Sequence, residues 1–278
     1  MTTEAHTIRL NNGVAIPQLG FGVFLIRPKD TVEAVSEALR VGYRHIDTAQ
    51  MYGNERQVGE AIKRSGVDRD EVFVTSKLDN EQRSYDDALR TVDRSIDLLG
   101  FEPIDLYLIH WPLPTVRDFM DVWLGLTRVY EEGRARAIGV SNFQIPHLER
   151  LMTESDVVPT INQIELHPYL AQERLREFGA DHGIAPVGWS PLGRARLLDD
   201  PVIGRVAKQV GRSPAQTILR WHVQLGNVII PKSVHPERMK ENFGIFDFSL
   251  SDAEMQELHG LNRGRRFGPD PDTFTGRP

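Results

Sequence analysis

Short apolar runs alternate with amphipathic stretches along the whole chain. The runs at 16–23, 44–48, 72–77, 105–110, 135–141, 160–165, 185–190 and 227–231 predict strands. Leu106-Tyr107-Leu108-Ile109 and Val228-Ile229-Ile230 are apolar without a break, which suits strands buried on both faces of a parallel sheet. Between the runs, Tyr85, Leu89, Val92, Ile96 and Leu99 recur at helical spacing, as do Val32, Val35 and Leu39. Asp200-Pro201 and Ser213-Pro214 set a capping residue before a first-turn proline, and Ser251 with Glu254 forms a capping box. Gly42, Gly66, Gly100, Gly133 and Gly183 stand where helices should stop.

Eight strand–helix pairs in 278 residues, with no linker between them, predict one domain over 1–278. A (β/α)8 TIM barrel fits better than an open sheet. Segments 7–10 and 14–16 flank Asn12-Gly13 and predict an N-terminal β-hairpin. Segment 251–261 predicts an extra C-terminal helix. The Gly/Pro-rich tail 262–278 holds Phe267 and Phe274. It is expected to fold over the barrel mouth, lend an aromatic ring to the substrate and leave cofactor binding alone.

Composition narrows the function. A net charge of -6 gives no global basic excess for nucleic acid. The absence of cysteine excludes disulfides, thiolate metal sites and cysteine nucleophiles. No His-x-His occurs, which disfavours a metal-dependent hydrolase barrel, and no metal is expected. The polar start lacks the form of a signal peptide, and no apolar run approaches membrane-spanning length. A cytoplasmic protein acting on a small molecule is expected.

Barrel enzymes work at the C-terminal ends of their strands. Here those ends carry Asp47 with Tyr52, Lys77, His110-Trp111, Ser141-Asn142, Gln163, Trp189-Ser190 and Lys232-Ser233. Taken singly, each has an ordinary reading: Asp47 as a helix cap, Lys77 as a solvated charge, His110 and Trp189 as packed core, Tyr52 as a loop residue. Together they point to one shared site. A free tyrosine has a pKa of about 10 and is a poor acid near neutrality. A lysine ammonium beside it would lower that value, a carboxylate would hold the lysine, and a histidine would add a second hydrogen bond to a substrate oxygen. Such a group can protonate a carbonyl oxygen as hydride reaches the carbon.

The stretches GYRHIDTAQMYGNE, DLYLIHWP, IGVSNF, NQIELHP, SPLG and IPKSVHPERMKEN resemble the signature segments of the aldo-keto reductases. DVVPTINQIELHP is similar to the bacterial branch that includes the 2,5-diketo-D-gluconate reductases. The resemblance implies a barrel that reduces aldehydes or ketones with NADPH. It assigns Tyr52 as general acid, Lys77 and Asp47 as its tuning pair, and His110 as the residue that orients the carbonyl. Ser141, Asn142 and Gln163 would hold the nicotinamide amide, with Gly22 and Asp47 nearby, and Trp189 would stack on the ring. Ser190, Pro191, Leu192 and Gly193 would form the loop over the pyrophosphate. Lys232, Ser233, Val234, Arg238, Glu241 and Asn242 would hold the adenosine-phosphate end. Val23, Phe24, Tyr52, Asp79, His110 and Trp111 would line the substrate pocket. Asp79 departs from the aromatic residue that many relatives have there. The resemblance also implies a monomer.

Alternatives remain. Gly20-Phe21-Gly22 lacks the third glycine of a dinucleotide fingerprint, so a Rossmann fold competes poorly. A Schiff-base aldolase would use Lys77 but leave Lys232, Ser233 and Arg238 without a role. A nicotinamide-binding sensor or regulatory module with little turnover is the reading from a different class.

Overall fold

The apolar runs pair side by side in one direction. In the computed structural model, which describes residues 6–276, a hairpin of β1 (Thr7–Arg9) and β2 (Ala15–Pro17) precedes eight parallel strands. These are β3 (Phe21–Gly22), β4 (His45–Asp47), β5 (Phe73–Leu78), β6 (Leu106–Ile109), β7 (Ile138–Ser141), β8 (Ile161–Glu165), β9 (Ala185–Trp189) and β10 (Val228–Ile230). They pair in chain order. Backbone bonds from Gly20 N to Ile229 O (2.8 Å) and from Ile229 N to Gln18 O (2.9 Å) close the barrel. Helices α1 (Pro28–Val41), α2 (Glu55–Ser65), α3 (Tyr85–Leu99), α4 (Phe119–Glu131), α5 (Ile145–Glu154) and α6 (Glu173–Asp181) each follow one barrel strand. Both α7 (Pro201–Val210) and α8 (Pro214–Gln224) follow β9, while α9 (Pro236–Phe243) follows β10 and α10 (Asp252–His259) comes last.

Two details differ from the sequence pattern. The run 16–23 is not one strand. Ile16 pairs with Ile8 in the hairpin, whereas Phe21 pairs with Ile46 in the barrel. Pro17 ends the hairpin strand because it has no N–H to donate. Gly20 then brings the backbone close to its neighbours: a Cβ there would lie 2.6 Å from Ile230 and 2.7 Å from His45. The second detail is α7, which stands outside the repeat along with the hairpin and α10. Asp200 starts it by accepting from the N–H groups of Val202 and Ile203.

Period-two alternation along the strands sorts side chains into two layers. Phe73, Leu106, Leu108, Ala137, Ile161, Val187, Val228 and Ile230 fill the barrel, and Leu10 and Ile16 of the hairpin join them at its N-terminal end. Val74, Tyr107, Ile109, Ile138, Val140, Ile164 and Ile229 point the other way, into the layer beneath the helices. That outer layer contains the fully buried Trp123 and Trp221. Truncating either to alanine would cost about 3–5 kcal/mol. The inward parity, continued to the strand ends, selects Asp47, Lys77, His110, Ser141, Gln163, Glu165 and Trp189.

The tail lies across this end of the barrel. Arg265 N bonds Tyr169 O (2.9 Å), Phe267 N and Gly268 N bond Glu165, and the Phe274 ring lies 4.5 Å from that of Trp111. Asn80 Nδ2 reaches Gly276 O at 3.4 Å. Among the described residues no helix is long and apolar enough to cross a membrane, and no acidic or histidine cluster could hold a metal ion.

Candidate active site

The register of β4 against β5 sets Asp47 beside Thr75, so Lys77 is the next inward side chain above it. Lys77 Nζ donates to Asp47 Oδ1 (2.7 Å) and to Thr48 O (2.9 Å). Gln163 Nε2 donates to the other carboxylate oxygen at 2.7 Å. Lys77 is wholly buried and Asp47 nearly so. Burial pulls the Lys77 ammonium below its ordinary pKa, against the opposing pull of Asp47.

Tyr52 closes the short 3-10 turn Gln50–Tyr52, which Gly53 ends in a left-handed conformation (φ 67°). Its ring lies 5.7 Å from that of His110 and 5.0 Å from Phe24, and Lys77 Nζ is 5.2 Å from its centre. Among the described residues no hydrogen bond engages the Tyr52 hydroxyl. Burial, and then the charge of Asp47, push that hydroxyl well above its ordinary value. The sequence reading expected Lys77 to lower it. The difference has a physical reason: burial disfavours the phenolate most, and the nearby Asp47 carboxylate repels it as well. Tyr52 is therefore held as the neutral phenol, with its proton in place.

His110 is buried, and burial followed by the charges of Lys77 and Arg117 holds it neutral, well below its ordinary pKa. Its Nδ1 is buried without a partner. An unmade N–H would be costly at that position, so the proton belongs on Nε2, the nitrogen left to donate.

The remaining predicted residues fall into three groups. Asn142, in left-handed backbone (φ 64°), donates to His110 O (2.9 Å) and Ser141 Oγ (3.0 Å) and accepts from Trp189 Nε1 (2.9 Å). Ser141 Oγ donates to Gln163 O at 2.8 Å. Both amide hydrogens of Asn142 are thus engaged, and the Trp189 indole is fixed in orientation. After β9, Ser190, Gly193, Arg194 and Ala195 all have positive φ, so the loop curls tightly, with Pro191 and Gly193 buried and Leu192 half-buried. After β10, Lys232, Val234 and Arg238 are exposed, and Ser233 is buried beneath them. Lys232 and Arg238 form no ion pair among the described residues. Glu241 and Asn242 lie one turn further along α9. Gly22 serves barrel closure: its N–H bonds Pro231 O (3.1 Å), and a Cβ would come 2.9 Å from Ile230.

Of the expected pocket residues, Phe24 is exposed and Trp111 is buried against Phe274. Val23 is fully buried, so of that pair only Phe24 offers surface. Asp79 is half-buried, and its carboxylate accepts the Glu81 N–H at 3.2 Å. Sequence reasoning gave Glu165 no role. It is fully buried and holds the tail through Phe267 N (2.7 Å) and Gly268 N (2.9 Å). Its inward parity with Gln163 was the available signal.

Comparison with known proteins bears on this geometry. An aldo-keto reductase of Mycobacterium sp. (strain KMS) is 50% identical, covering 97% of this chain and 98% of that protein. Methylglyoxal reductase DkgA of Salmonella typhimurium is 46% identical, covering 97% and 98% respectively. Among solved structures, a Gox0644 mutant in complex with NADPH superimposes with a TM-score of 0.93 at 43% identity, covering 97% of this chain and 98% of that one. The Aldo/keto reductase family matches residues 18–263, a span that begins ahead of β3 and ends in the tail. With barrel, mouth and relatives in agreement, the chain belongs to the aldo/keto reductase family.

Proposed function

We propose that this chain reduces aldehydes or ketones to alcohols with NADPH, and that Tyr52 supplies the proton. One observation carries the reading: Tyr52, whose hydroxyl has no hydrogen-bond partner among the described residues, has its ring 5.7 Å from that of His110 and 5.2 Å from Nζ of the Asp47-paired Lys77, at the mouth of the barrel. The donor set fits the cofactor. Gln163 gives its N–H to Asp47 and keeps its carbonyl oxygen for a carboxamide N–H. Trp189, fixed by Asn142, offers an aromatic face. Arg194 and Arg196 are exposed cations beside the curled loop, suited to a pyrophosphate. Lys232 and Arg238, at the start of α9 and without ion pairs among the described residues, suit a further phosphate.

NADPH, when bound, supplies hydride to the carbonyl carbon. His110 Nε2–H orients the carbonyl oxygen, and Tyr52 gives that oxygen its proton. The phenolate left behind forms beside the Lys77 ammonium, whose attraction stabilises it. Asp47 and Gln163 hold the lysine in place throughout. The depressed pKa of Lys77 eases return of a proton to Tyr52. In the same reading the substrate is a small carbonyl compound and the working unit is one chain. The test mixes protein, NADPH and a reactive aldehyde and follows cofactor absorbance. Aldehyde-dependent loss of NADPH is expected, and binding without turnover would contradict the reading.

A further inference from the structure

Glu165 ends β8, one inward position beyond Gln163, and is wholly buried. Its Oε1 accepts Phe267 N–H at 2.7 Å and its Oε2 accepts Gly268 N–H at 2.9 Å. His167 Nε2 adds a bond at 3.1 Å, and the Arg266 guanidinium stands at 3.9 Å. Burial alone would raise the Glu165 pKa. The bonds from His167, Gly268 and Phe267 outweigh it and keep the group ionised below the usual carboxylate value. A buried carboxylate bound this way depends on its donors, and here two of them are tail backbone.

The two tail residues it holds touch different parts of the mouth. The Phe267 ring lies 5.0 Å from His167, with the guanidinium of Arg196 4.9 Å from its centre. It also abuts Gly193, where a Cβ would come within 3.0 Å of the ring. Phe267 therefore backs the curled loop after β9. Gly268 passes over Trp189 so closely that a Cβ would overlap the indole. Phe274 packs elsewhere, on Trp111. The sequence had suggested a tail that serves substrate alone. The two tail aromatics pack against different parts of the mouth, Phe267 by the loop after β9 and Phe274 on Trp111.

We infer that Glu165 is a positioning residue for cofactor retention: by fixing Phe267 and Gly268 it braces the loop 190–196 and the edge of Trp189, and so slows NADPH release. The inference rests on the NADPH reading above. Arg194 and Arg196 lie on the braced loop, and Arg265 of the tail stands 5.3 Å from the centre of the Phe267 ring that backs it. Loosening the tail would free the loop and Trp189 together.

Two measurements on Glu165→Gln, Phe267→Ala and Phe274→Ala test it. In cofactor-free protein, amide hydrogen exchange at Phe267 and Gly268 should rise about tenfold or more in Glu165→Gln, while barrel-strand amides keep their protection. In stopped-flow displacement, NADPH should leave Glu165→Gln and Phe267→Ala about tenfold faster, as when local ordering is lost, with no such change in Phe274→Ala. Phe267→Ala removes a half-buried ring from the surface of a complete barrel, so it judges the inference even if Glu165→Gln does not fold. Unchanged exchange in Glu165→Gln, or unchanged release in Phe267→Ala, overturns the inference while leaving the cofactor reading intact. A wild type that binds no NADPH overturns both.

Discussion

Lys77 Nζ lies 2.7 Å from Asp47 Oδ1 inside the barrel, and neither group has more than slight access to solvent. The pair is held from the far side by Gln163, 116 residues along the chain from Asp47. The charges of lysine and carboxylate offset each other, while burial and then the Asp47 charge push the Tyr52 hydroxyl well above its ordinary value.

Lys77→Met should therefore do two things. It should leave Asp47 buried with only the Gln163 amide, at a cost of about 3–5 kcal/mol in stability. It should also abolish turnover, because no cation remains to stabilise the phenolate. Adding Asp47→Asn removes the stranded charge and should restore much of the stability without restoring activity. Urea unfolding of the single and double variants checks this, and equal stability of Lys77→Met and wild type would contradict it.

The buried histidines set a pH dependence. Burial first, together with nearby charges and hydrogen bonds, places His45 at about 4 and His222 at about 3, and it holds His110 well below its ordinary value. All three native values lie below 6.5, the value expected in the unfolded chain. As pH falls through 6.5 the unfolded state binds protons that the native state refuses. Stability should then fall toward pH 4, with a slope of up to about 1.4 kcal/mol per pH unit for each such histidine. Urea midpoints at pH 7.5 and pH 5.5 should differ in that direction, and equal midpoints would contradict it. A neutral His110 further means that kcat/KM shows no histidine step near pH 6.5.

Much of this was legible in the sequence. The apolar runs marked the strands, and their parity aimed Asp47, Lys77, His110, Ser141 and Trp189 at one mouth. Three things were not legible, each because it depends on contacts remote along the chain. The break at Gln18–Gly20 follows from how closely β3 must approach Ile230 and His45 to close the barrel. The raised pKa of Tyr52 follows from its burial and from the charge of Asp47 nearby, which residue types alone do not decide. Glu165 stood within a quoted motif and shared the parity of Gln163. Two of its donors are backbone N–H groups about a hundred positions on, however, and no side-chain pattern announces those.

Cofactor preference should follow Lys232 and Arg238, two exposed cations at the start of α9 without ion pairs among the described residues. The 2′-phosphate is the only group that separates NADPH from NADH. Charge-assisted hydrogen bonds contribute about 1.5–3 kcal/mol each, trimmed by screening at an open site. NADPH should bind about 100-fold more tightly, and Arg238→Met should reduce that preference by about tenfold, on the same scale. Fluorescence titration with both nucleotides decides it. Equal dissociation constants, or a full preference in Arg238→Met, would contradict the assignment.

The central claim is that Tyr52 gives the proton. Tyr52→Phe keeps the ring between Phe24 and His110 and removes only the hydroxyl, so cofactor binding should stay close to that of wild type. The decisive measurement is the single-turnover rate of NADPH oxidation by a saturating aldehyde in Tyr52→Phe, with NADPH affinity measured in parallel. The expected result is near-normal affinity with the rate reduced about 10²–10⁴-fold, the usual contribution of a general acid. A variant that binds NADPH and retains more than about a tenth of the wild-type rate would contradict the account.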